Sequence, residues 1–555
     1  MTGRSFARPS RRPPGEAART REGVAPVAGG ERVRTGPVRR LFSVAEVARV
    51  TDGQVERLDP APDGGRGGAP DPAEVFLTGV EVDSRLIRQG DLFCALPGER
   101  VDGHDFVGRA FAAGALAALV SREPVLARGA EGADAGRSGS SPGPFLVRVR
   151  ESLEALGRLA AWHRRRFDLP VVGVTGSVGK TTTKDLIAST LRRRFRVLAT
   201  PGNLNTDIGL PLTLFELGPE HEVACLEMGM RGPGEIRRLA AIARPSVGVL
   251  TVVGPVHIEL LGSVEAVARA KEELLWSLPP SGTAILNADD ERVAAMARTH
   301  RERLARVLTY GLERPADVSA RSIDHEGEKG TRFGVVLAGR ARELAGASEI
   351  GWFRIPLAGR HSVSNALAAV AVGLVFGMDP EDIRSGLARA EVSAMRQEVL
   401  DVGGVRVVND AYNASPPSMA AAVALLVELR KKRGGKAVAV LGDMLELGDF
   451  SEPAHRELGR AVAAAGIDHL VAVGPQAVAI AEEARKGGLG PGRVAWFPDV
   501  PEAAEEVLRL VRPGDTVLVK ASRGLRLERL VERVLAGLRE RGGSGGTAEE
   551  GCLCR

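Results

Sequence analysis

The sequence predicts an α/β protein of three domains. Two stretches of the chain alternate short apolar segments, typical of buried strands, with longer segments of helical periodicity. The first runs from Leu169 to Asn287 and the second from Ala437 to Val519, and a shorter α/β segment precedes both. A chain of 555 residues with 44% hydrophobic content is also too long for a single hydrophobic core.

Changes of composition set the expected boundaries. An Arg- and Pro-rich leader comes first, then a small α/β domain, a central domain with a mostly parallel sheet, a third domain with another open α/β sheet, and a flexible tail. The Gly-rich stretches 59–72 and 128–144 are typical of surface loops. The predicted bounds of the five parts are 1–40, 41–165, 166–390, 391–540 and 541–555.

The basic charge is concentrated in the leader. Residues 1–40 hold ten Arg and three Glu, with no Lys or Asp, and so contribute +7 to a net charge of +5. The rest of the chain carries −2, so we expect no nucleic-acid partner. The leader has few apolar residues to bury, which favours a solvated, disordered segment over a polyanion-binding one.

Targeting and cysteine patterns indicate a cytoplasmic protein. The leader lacks the apolar run of a secretion signal, and no stretch of about 18 apolar residues could span a membrane. Four cysteines in this length exclude a disulfide framework. Cys94 and Cys225 lie in apolar, strand-like runs and are expected to be buried, whereas Cys552 and Cys554 belong to the tail.

The strongest local signal is an apolar strand, Val171–Val174, that runs into a Gly-rich turn and then a helix. Backbone N–H groups in such a turn point at phosphate oxygens, Lys180 adds a positive charge, and the Thr181 hydroxyl is suited to Mg²⁺. The alternative is an ordinary glycine turn that caps a helix. The predicted nucleotide-binding residues are Gly176, Ser177, Val178, Gly179, Lys180, Thr181 and Thr182.

Two further candidates follow the next apolar strands. Glu227 comes directly after Val223–Leu226, and His257 follows Val247–Val253. Ligands from the ends of neighbouring parallel strands meet at one edge of a sheet, so both residues are candidate metal ligands. Lys271 lies on a predicted helix with Ser263 as its N-cap, and its pattern alone indicates only a solvated lysine.

Four segments together resemble the Mur ligases, which share their ATPase domain with folylpolyglutamate synthases. They are residues 175–182, 227–229, 257–271 and 359–369, in the family's order and spacing. The resemblance implies a UDP-sugar-binding N-terminal domain, a central P-loop ATPase and a C-terminal Rossmann-like domain. Two positions depart from the family pattern, Ser362 in place of Asn and Ala521 in place of Gly.

Within the family, the block Asp410–Met419 is similar to the members that add D-alanyl-D-alanine, as are 83–85, 90–93, 102–106, 202–211, 441–448 and 519–523. Such members consume ATP and Mg²⁺, and join the dipeptide to UDP-N-acetylmuramoyl-tripeptide through an acyl phosphate. The alternatives are a sister ligase that adds diaminopimelate or lysine, and a non-catalytic nucleotide-binding protein. The absence of the sisters' Asp-Asn-Pro-Arg block favours the first reading.

The resemblance also implies roles for single residues. Arg396 and Asp410 would close over the γ-phosphate and the ribose, and Asn365 would face the adenine. Lys271 aligns with a lysine that is carbamylated in some members. The expected catalytic residues are Lys180, His257, Lys271 and Arg396, the metal ligands Thr181, Glu227 and His257, and the substrate-binding residues Ser84, Arg85 and Asn205. We expect a monomer with hinges near residues 165 and 385.

Overall fold

The computed structural model describes residues 39–58, 71–98, 101–126, 144–256, 258–326 and 330–543. They form two compact units that divide between Leu159 and Ala160. Except at their edges, the predicted leader, the two Gly-rich loops and the tail lie outside the described residues.

The first unit contains a five-stranded sheet in the order β2-β7-β6-β5-β4 and a separate antiparallel pair, β1 with β3. The pairs from β7 to β4 are parallel, and β2 is antiparallel. Phe93 and Leu146 lie in the core of this unit. The elements are β1 Phe42–Ser43, α1 Val44–Thr51, β2 Gln54–Arg57, β3 Phe76–Leu77, β4 Gly79–Glu81, β5 Asp91–Cys94, α2 Val107–Ala112, β6 Ala117–Val120 and β7 Phe145–Arg148. Helix α3, Ser152–Arg164, continues into the second unit.

The second unit contains two sheets, of which the first has nine strands in the order β16-β15-β14-β13-β12-β11-β8-β10-β9. The pairs among β8 to β14 are all parallel. Strands β15 and β16 extend the sheet as antiparallel neighbours. Its strands are β8 Val171–Thr175, β9 Val197–Ala199, β10 Val223–Glu227, β11 Val247–Leu250, β12 Thr283–Asn287, β13 Arg306–Gly311, β14 Val318–His325, β15 Thr331–Leu337 and β16 Glu349–Ile355. Its helices are α4 Lys180–Leu191, α5 Gly209–Leu214, α6 Glu235–Ala243, α7 Ile258–Leu261, α8 Val264–Trp276, α9 Glu291–His300, α10 Gly339–Ala345, α11 Arg360–Val375 and α12 Pro380–Ala388.

Helices cover both faces of this sheet. Helices α4, α11 and α12 pack on one face through Leu186, Leu367 and Ile383, whereas α5, α6, α8 and α9 pack on the other. The central strands are therefore covered on both sides, which is why all five residues of β8 are buried. This arrangement brings the carboxyl ends of β8, β10 and β11 to one edge.

The second sheet has six strands in the order β17-β18-β22-β19-β20-β21, parallel except for the first pair. Helices α13, α14 and α15 cover one face, and α16 and α17 the other. The elements are β17 Glu398–Val402, β18 Val405–Asn409, α13 Pro416–Arg433, β19 Ala437–Gly442, α14 Ser451–Ala464, β20 His469–Val473, α15 Val478–Lys486, β21 Val494–Phe497, α16 Val500–Leu510, β22 Thr516–Lys520 and α17 Glu528–Gly543.

The predicted strands coincide with observed ones to within a few residues, and the predicted N-cap Ser263 accepts a hydrogen bond from the Ala266 N–H. The sequence analysis predicts none of the strands β13–β16, and β14 shows one reason, since it has many polar, partly exposed residues and lacks an apolar run. Cys94 and Cys225 are buried and free, as expected. Across the described ranges, no helix is long and apolar enough to cross a membrane.

Candidate active site

The loop between β8 and α4 requires glycine at two positions. Gly176 has φ +153°, and a Cβ there would lie 1.8 Å from the Thr251 Oγ1. Gly179 has φ +84°, and its Cβ would lie 2.8 Å from the Asn365 Oδ1. The loop therefore runs close to β11 and α11, and it leads into the N-terminal N–H groups of α4, which have no acceptor within the helix.

Residues after β11 hold the loop in place. The Thr251 hydroxyl donates to the Val178 carbonyl at 2.6 Å. The Ser177 N–H donates to the Val252 carbonyl at 2.7 Å, and its hydroxyl bonds both polar groups of the Gly254 backbone. Ser177 thus supports the loop through its own N–H and its side chain.

Lys180 lies over the loop that precedes it. Its Nζ donates to the Gly176 carbonyl at 2.9 Å and to the Ser177 carbonyl at 3.3 Å. Burial lowers the pKa of Lys180, the Glu227 carboxylate acts in the opposite direction, and the Arg396 charge lowers it further. The ammonium is thus within electrostatic reach of one carboxylate and one guanidinium.

Glu227 ends β10 as a buried carboxylate. Its Oε1 accepts a hydrogen bond from the Asn205 Nδ2 at 2.6 Å, while its Oε2 is buried and has no hydrogen-bond partner among the described residues. The sequence predicts Asn205 as a substrate-binding residue and gives no sign of its contact with Glu227. The structure therefore places Asn205 beside the predicted metal ligand, where its amide orients the carboxylate.

Lys271 is a buried residue of α8, in contrast to the solvated lysine that its sequence pattern indicates. Burial lowers its pKa well below the usual value, and the nearby Lys180 charge adds to the effect. Among the described residues, none forms a hydrogen bond or ion pair with its ammonium group. His257, the other predicted metal ligand, lies outside the described residues.

The start of α11 brings polar side chains to the same edge. Asn365 lies against Gly179 of the loop. Ser362, which replaces the family asparagine, donates to the Gln397 Oε1 at 2.9 Å, and the Gln397 amide also contacts the His361 Nε2. Burial lowers the pKa of His361, which favours its neutral form. The Ser362 hydroxyl therefore contacts the segment that carries Arg396.

The segment between α12 and β17 is fixed to α4. The Asp185 Oδ2 accepts from the Ser393 N–H at 3.0 Å and from its hydroxyl at 2.8 Å. The other carboxylate oxygen pairs with Lys184, which also donates to the Thr200 carbonyl at 2.9 Å. This clasp of Lys184, Asp185 and Ser393 holds the segment three residues before Arg396.

Two arginines stack on one tyrosine. The Arg396 guanidinium carbon lies 4.0 Å from the centre of the Tyr412 ring, and that of Arg523 lies 5.1 Å from it. Asp410, two residues before Tyr412, is paired with the Lys520 Nζ at 2.7 Å. Sequence reasoning included Tyr412 and Arg523 in motifs without giving them roles, since only the fold brings them to Arg396.

Ala521, the second departure from the family pattern, is buried and packs against Gly442. Its backbone is not among those with positive φ, so a side chain is accommodated there without strain.

In the first unit, Ser84 is buried and Arg85 is exposed in the turn after β4. Arg85 folds onto its neighbour, with its Nη2 2.5 Å from the Asp83 Oδ2. Its hydrogen bond lowers the pKa of the Asp83 carboxyl. Both predicted substrate contacts therefore belong to one ordered turn.

Family models match most of the chain. The Mur ligase family catalytic domain matches residues 77–164, the Mur ligase middle domain residues 174–373, and the Mur ligase glutamate ligase domain residues 395–523. The chain belongs to the Mur ligase family. The second of these Mur ligase matches begins at the end of β8 and extends through α11, and so contains the loop, Glu227, Lys271 and Asn365.

Named Mur ligases resemble most of the chain. The UDP-N-acetylmuramoyl-tripeptide–D-alanyl-D-alanine ligase of Bacillus subtilis is 38% identical over 83% of this chain and 94% of its own length. A crystal structure of MurF from Acinetobacter baumannii has a TM-score of 0.74 and 31% identity, covering 89% of this chain and 99% of that one. MurF ligase from Thermotoga maritima, solved in complex with ADP, has a TM-score of 0.68 and 30% identity over 83% of this chain and 98% of that one. These matches confirm the predicted three-domain α/β fold.

Proposed function

We propose that this chain joins D-alanyl-D-alanine to UDP-N-acetylmuramoyl-tripeptide with ATP as the energy source, and so forms the UDP-linked muramoyl pentapeptide. The observation that carries the proposal is the shared name of relatives that align over nearly their full length. The intact loop, Lys180 and Glu227 support a catalytic protein over a non-catalytic nucleotide-binding one.

The residues around the loop suit the three phosphates of ATP. We assign the phosphates to the backbone of residues 176–182. The Lys180 ammonium would leave the Gly176 and Ser177 carbonyls and pair with the phosphates. Asn365 beside Gly179 would face the adenine, and Asp410 the ribose. Arg396 lies within electrostatic reach of Lys180, which suits a cation that closes over the γ-phosphate.

The described residues fit a magnesium ion. The Glu227 Oε2 is a buried oxygen that no other described residue hydrogen-bonds, and Thr181 carries its hydroxyl at the start of α4. Oxygen ligands of this kind, completed by phosphates and water, are those that Mg²⁺ prefers. Glu227 and Thr181 would hold the ion together with His257, and the ion would neutralise charge on the phosphoryl group in transfer.

The chemistry needs charge and positioning more than a protein nucleophile. A carboxylate is a poor acceptor for an amine, so the γ-phosphoryl group is first transferred to the peptide carboxylate to give an acyl phosphate. The dipeptide amine then attacks the carbonyl carbon, loses a proton, and the carbon–oxygen bond to phosphate breaks. Lys180 and Arg396 stabilise the negative charge in both steps.

The remaining assignments follow from this activity. Ser84 and Arg85 would contact the UDP-sugar, and Lys271 would act either as a buried amine or as its carbamylated anion. We assign residues 41–165 to the UDP-sugar, 166–390 to ATP and 391–540 to the amine substrate. One chain supplies all the named residues, so we propose an active monomer in the cytoplasm, where its nucleotide substrates are made.

Phosphate release by the purified protein tests the proposal. The assay contains ATP, Mg²⁺, UDP-N-acetylmuramoyl-tripeptide and D-alanyl-D-alanine, and each is omitted in turn. We expect release only when all are present, and none from the Lys180→Ala variant. Release with the shorter dipeptide precursor and a single amino acid would instead identify a sister ligase, and no release under any condition would favour the non-catalytic alternative.

A further inference from the structure

Arg523 is a positively charged side chain without a protein counter-ion. It begins the short turn after β22 and is partly exposed. Within the described part of the chain, no carboxylate pairs with its guanidinium group. The nearby acids are engaged elsewhere, since Asp410 pairs with Lys520, and the Asp443 carboxylate accepts the N–H groups of Gln476 and Ala477. An unpaired guanidinium fork is suited to bind a carboxylate or phosphate in a bidentate manner.

Tyr412 limits the distance between Arg523 and Arg396. Since the two guanidinium carbons lie 4.0 Å and 5.1 Å from the same ring centre, they are at most about 9 Å apart, the sum of those distances. Arg396 is the member of the pair whose charge reaches Lys180. Arg523 is therefore a second cation beside Arg396, the residue that we place over the γ-phosphate.

The amine substrate has the matching chemistry. An extended dipeptide is about 7 Å long, with its amine at one end and a carboxylate at the other. The amine must reach the carbonyl carbon next to the transferred phosphoryl group, so the carboxylate lies about 7 Å from that carbon. Leu445, which is exposed and lies against Gly524, offers an apolar neighbour for a methyl side chain.

We infer that Arg523 binds the terminal carboxylate of the incoming dipeptide and that Tyr412 positions its guanidinium group. This inference rests on the proposed function, because it names the subsite for the amine substrate. An arginine could bind an ATP phosphate as well as a carboxylate. Measuring KM for ATP and for the dipeptide separately distinguishes the two.

The test compares D-alanyl-D-alanine with its C-terminal amide in the phosphate-release assay. Loss of a charge-assisted, bidentate contact corresponds to roughly a 10- to 100-fold change, so the wild-type protein should prefer the acid by that factor in kcat/KM. Arg523→Gln should lose this preference by slowing only the acid, with an unchanged KM for ATP, and Arg523→Lys should retain part of it. Arg529→Gln, an exposed arginine on α17, is the matched control and should behave as wild type.

Two results would overturn the inference while the proposed function stands. Arg523→Gln could retain the preference for the acid, or it could raise the KM for ATP and leave the KM for the dipeptide unchanged. A wild-type protein that shows no dipeptide-dependent release would contradict the proposed function itself. The unfolding midpoint of each variant separates these results from misfolding.

The role of Tyr412 has its own test. Tyr412→Phe keeps the ring on which both arginines stack and should keep the preference for the acid, whereas Tyr412→Leu should lose most of it. Equal preferences in the two variants would remove Tyr412 from the inference. The KM for the dipeptide and kcat are measured separately, because Arg396 also stacks on this ring.

Discussion

Lys271 illustrates how a single buried amine is tied to function. Its side chain is 1% exposed on α8, and the charge of Lys180 disfavours a second ammonium nearby. Burial strips water from this amine, so keeping it in the core costs free energy that an apolar side chain of similar size would not. Such a residue is expected where its chemistry is used, either as a neutral amine or after reaction with carbon dioxide.

Replacing Lys271 by methionine should separate stability from activity. Lys271→Met keeps most of the side-chain volume and removes the amine, so the free energy of unfolding should rise by about 1–3 kcal/mol. Phosphate release should fall to the level of Lys180→Ala. Urea unfolding and the release assay measure the two effects, and a variant that is less stable than wild type would contradict the assignment of a strained amine.

Asn205 offers a second residue test, because sequence reasoning placed it among substrate contacts and the structure places it on Glu227. Removing the partner that orients a metal ligand typically costs 10- to 100-fold in metal affinity, so Asn205→Ala should raise the half-saturating Mg²⁺ concentration by roughly that factor. Titration of Mg²⁺ at saturating substrates measures this. A changed KM for the UDP-linked tripeptide at unchanged Mg²⁺ requirement would instead favour direct substrate contact.

At the scale of the element, the loop before α4 depends on the close approach of its backbone to β11. Gly176→Ala would place a methyl group 1.8 Å from the Thr251 Oγ1 and so force the loop to move. We expect loss of ATP binding, measured by calorimetry with a non-hydrolysable analogue. Gly202→Ala is a suitable control, since its position is also at positive φ but its Cβ would meet no neighbour. Retained binding in Gly176→Ala would show that the loop adapts.

The clasp of Lys184, Asp185 and Ser393 is the second element-scale feature. It joins α4 to the segment before Arg396, in which Met395 and Gln397 have positive φ values of 60° and 54°. Non-glycine residues rarely adopt this conformation, so the surrounding contacts must hold it. The clasp therefore couples α4, at whose start we propose the phosphates bind, to the segment that carries Arg396.

Breaking the clasp should lower both stability and turnover. Asp185→Asn leaves the buried Lys184 without its anion and should cost about 3 kcal/mol, whereas Ser393→Ala removes a neutral donor and should cost about 1 kcal/mol. Both should reduce kcat through Arg396. Urea unfolding and steady-state kinetics measure these effects, with Glu343→Gln, an exposed residue of α10, as the control. Unchanged kcat in both variants would uncouple the clasp from catalysis.

These elements also show what a sequence can predict. The strand, glycine turn and helix around Lys180 are adjacent in the chain, so their local pattern was enough to predict them. The parallel sheets were predicted from the alternation of strands with helices. The Asp185–Ser393 contact joins residues 208 positions apart, and the stacking of Arg396 and Arg523 on Tyr412 requires β17, β18 and β22 to lie side by side in the six-stranded sheet. Such contacts depend on tertiary packing, which local periodicity does not encode.

At the scale of the whole molecule, four histidines of the second unit share one electrostatic property. Burial lowers the pKa of each below the ordinary value of 6.5, and the four are His300, His361, His455 and His469. His455 shows the structural reason. Its Nε2 accepts the Met444 N–H at 2.9 Å while its Nδ1 lies 2.7 Å from the Ser451 carbonyl, so a proton on Nε2 would face another donor.

This property predicts that the protein loses stability as the pH falls. Well above pH 6.5 these histidines are neutral in both states. Below it the unfolded chain binds protons that the folded chain resists, so stability falls as the pH falls. The urea midpoint should therefore be lower at about pH 5.5 than at about pH 8. His455→Asn, whose amide does not titrate, should show a smaller difference between the two conditions. Equal midpoints in the wild-type protein would mean that the folded state accepts these protons, and that burial does not hold the histidines neutral.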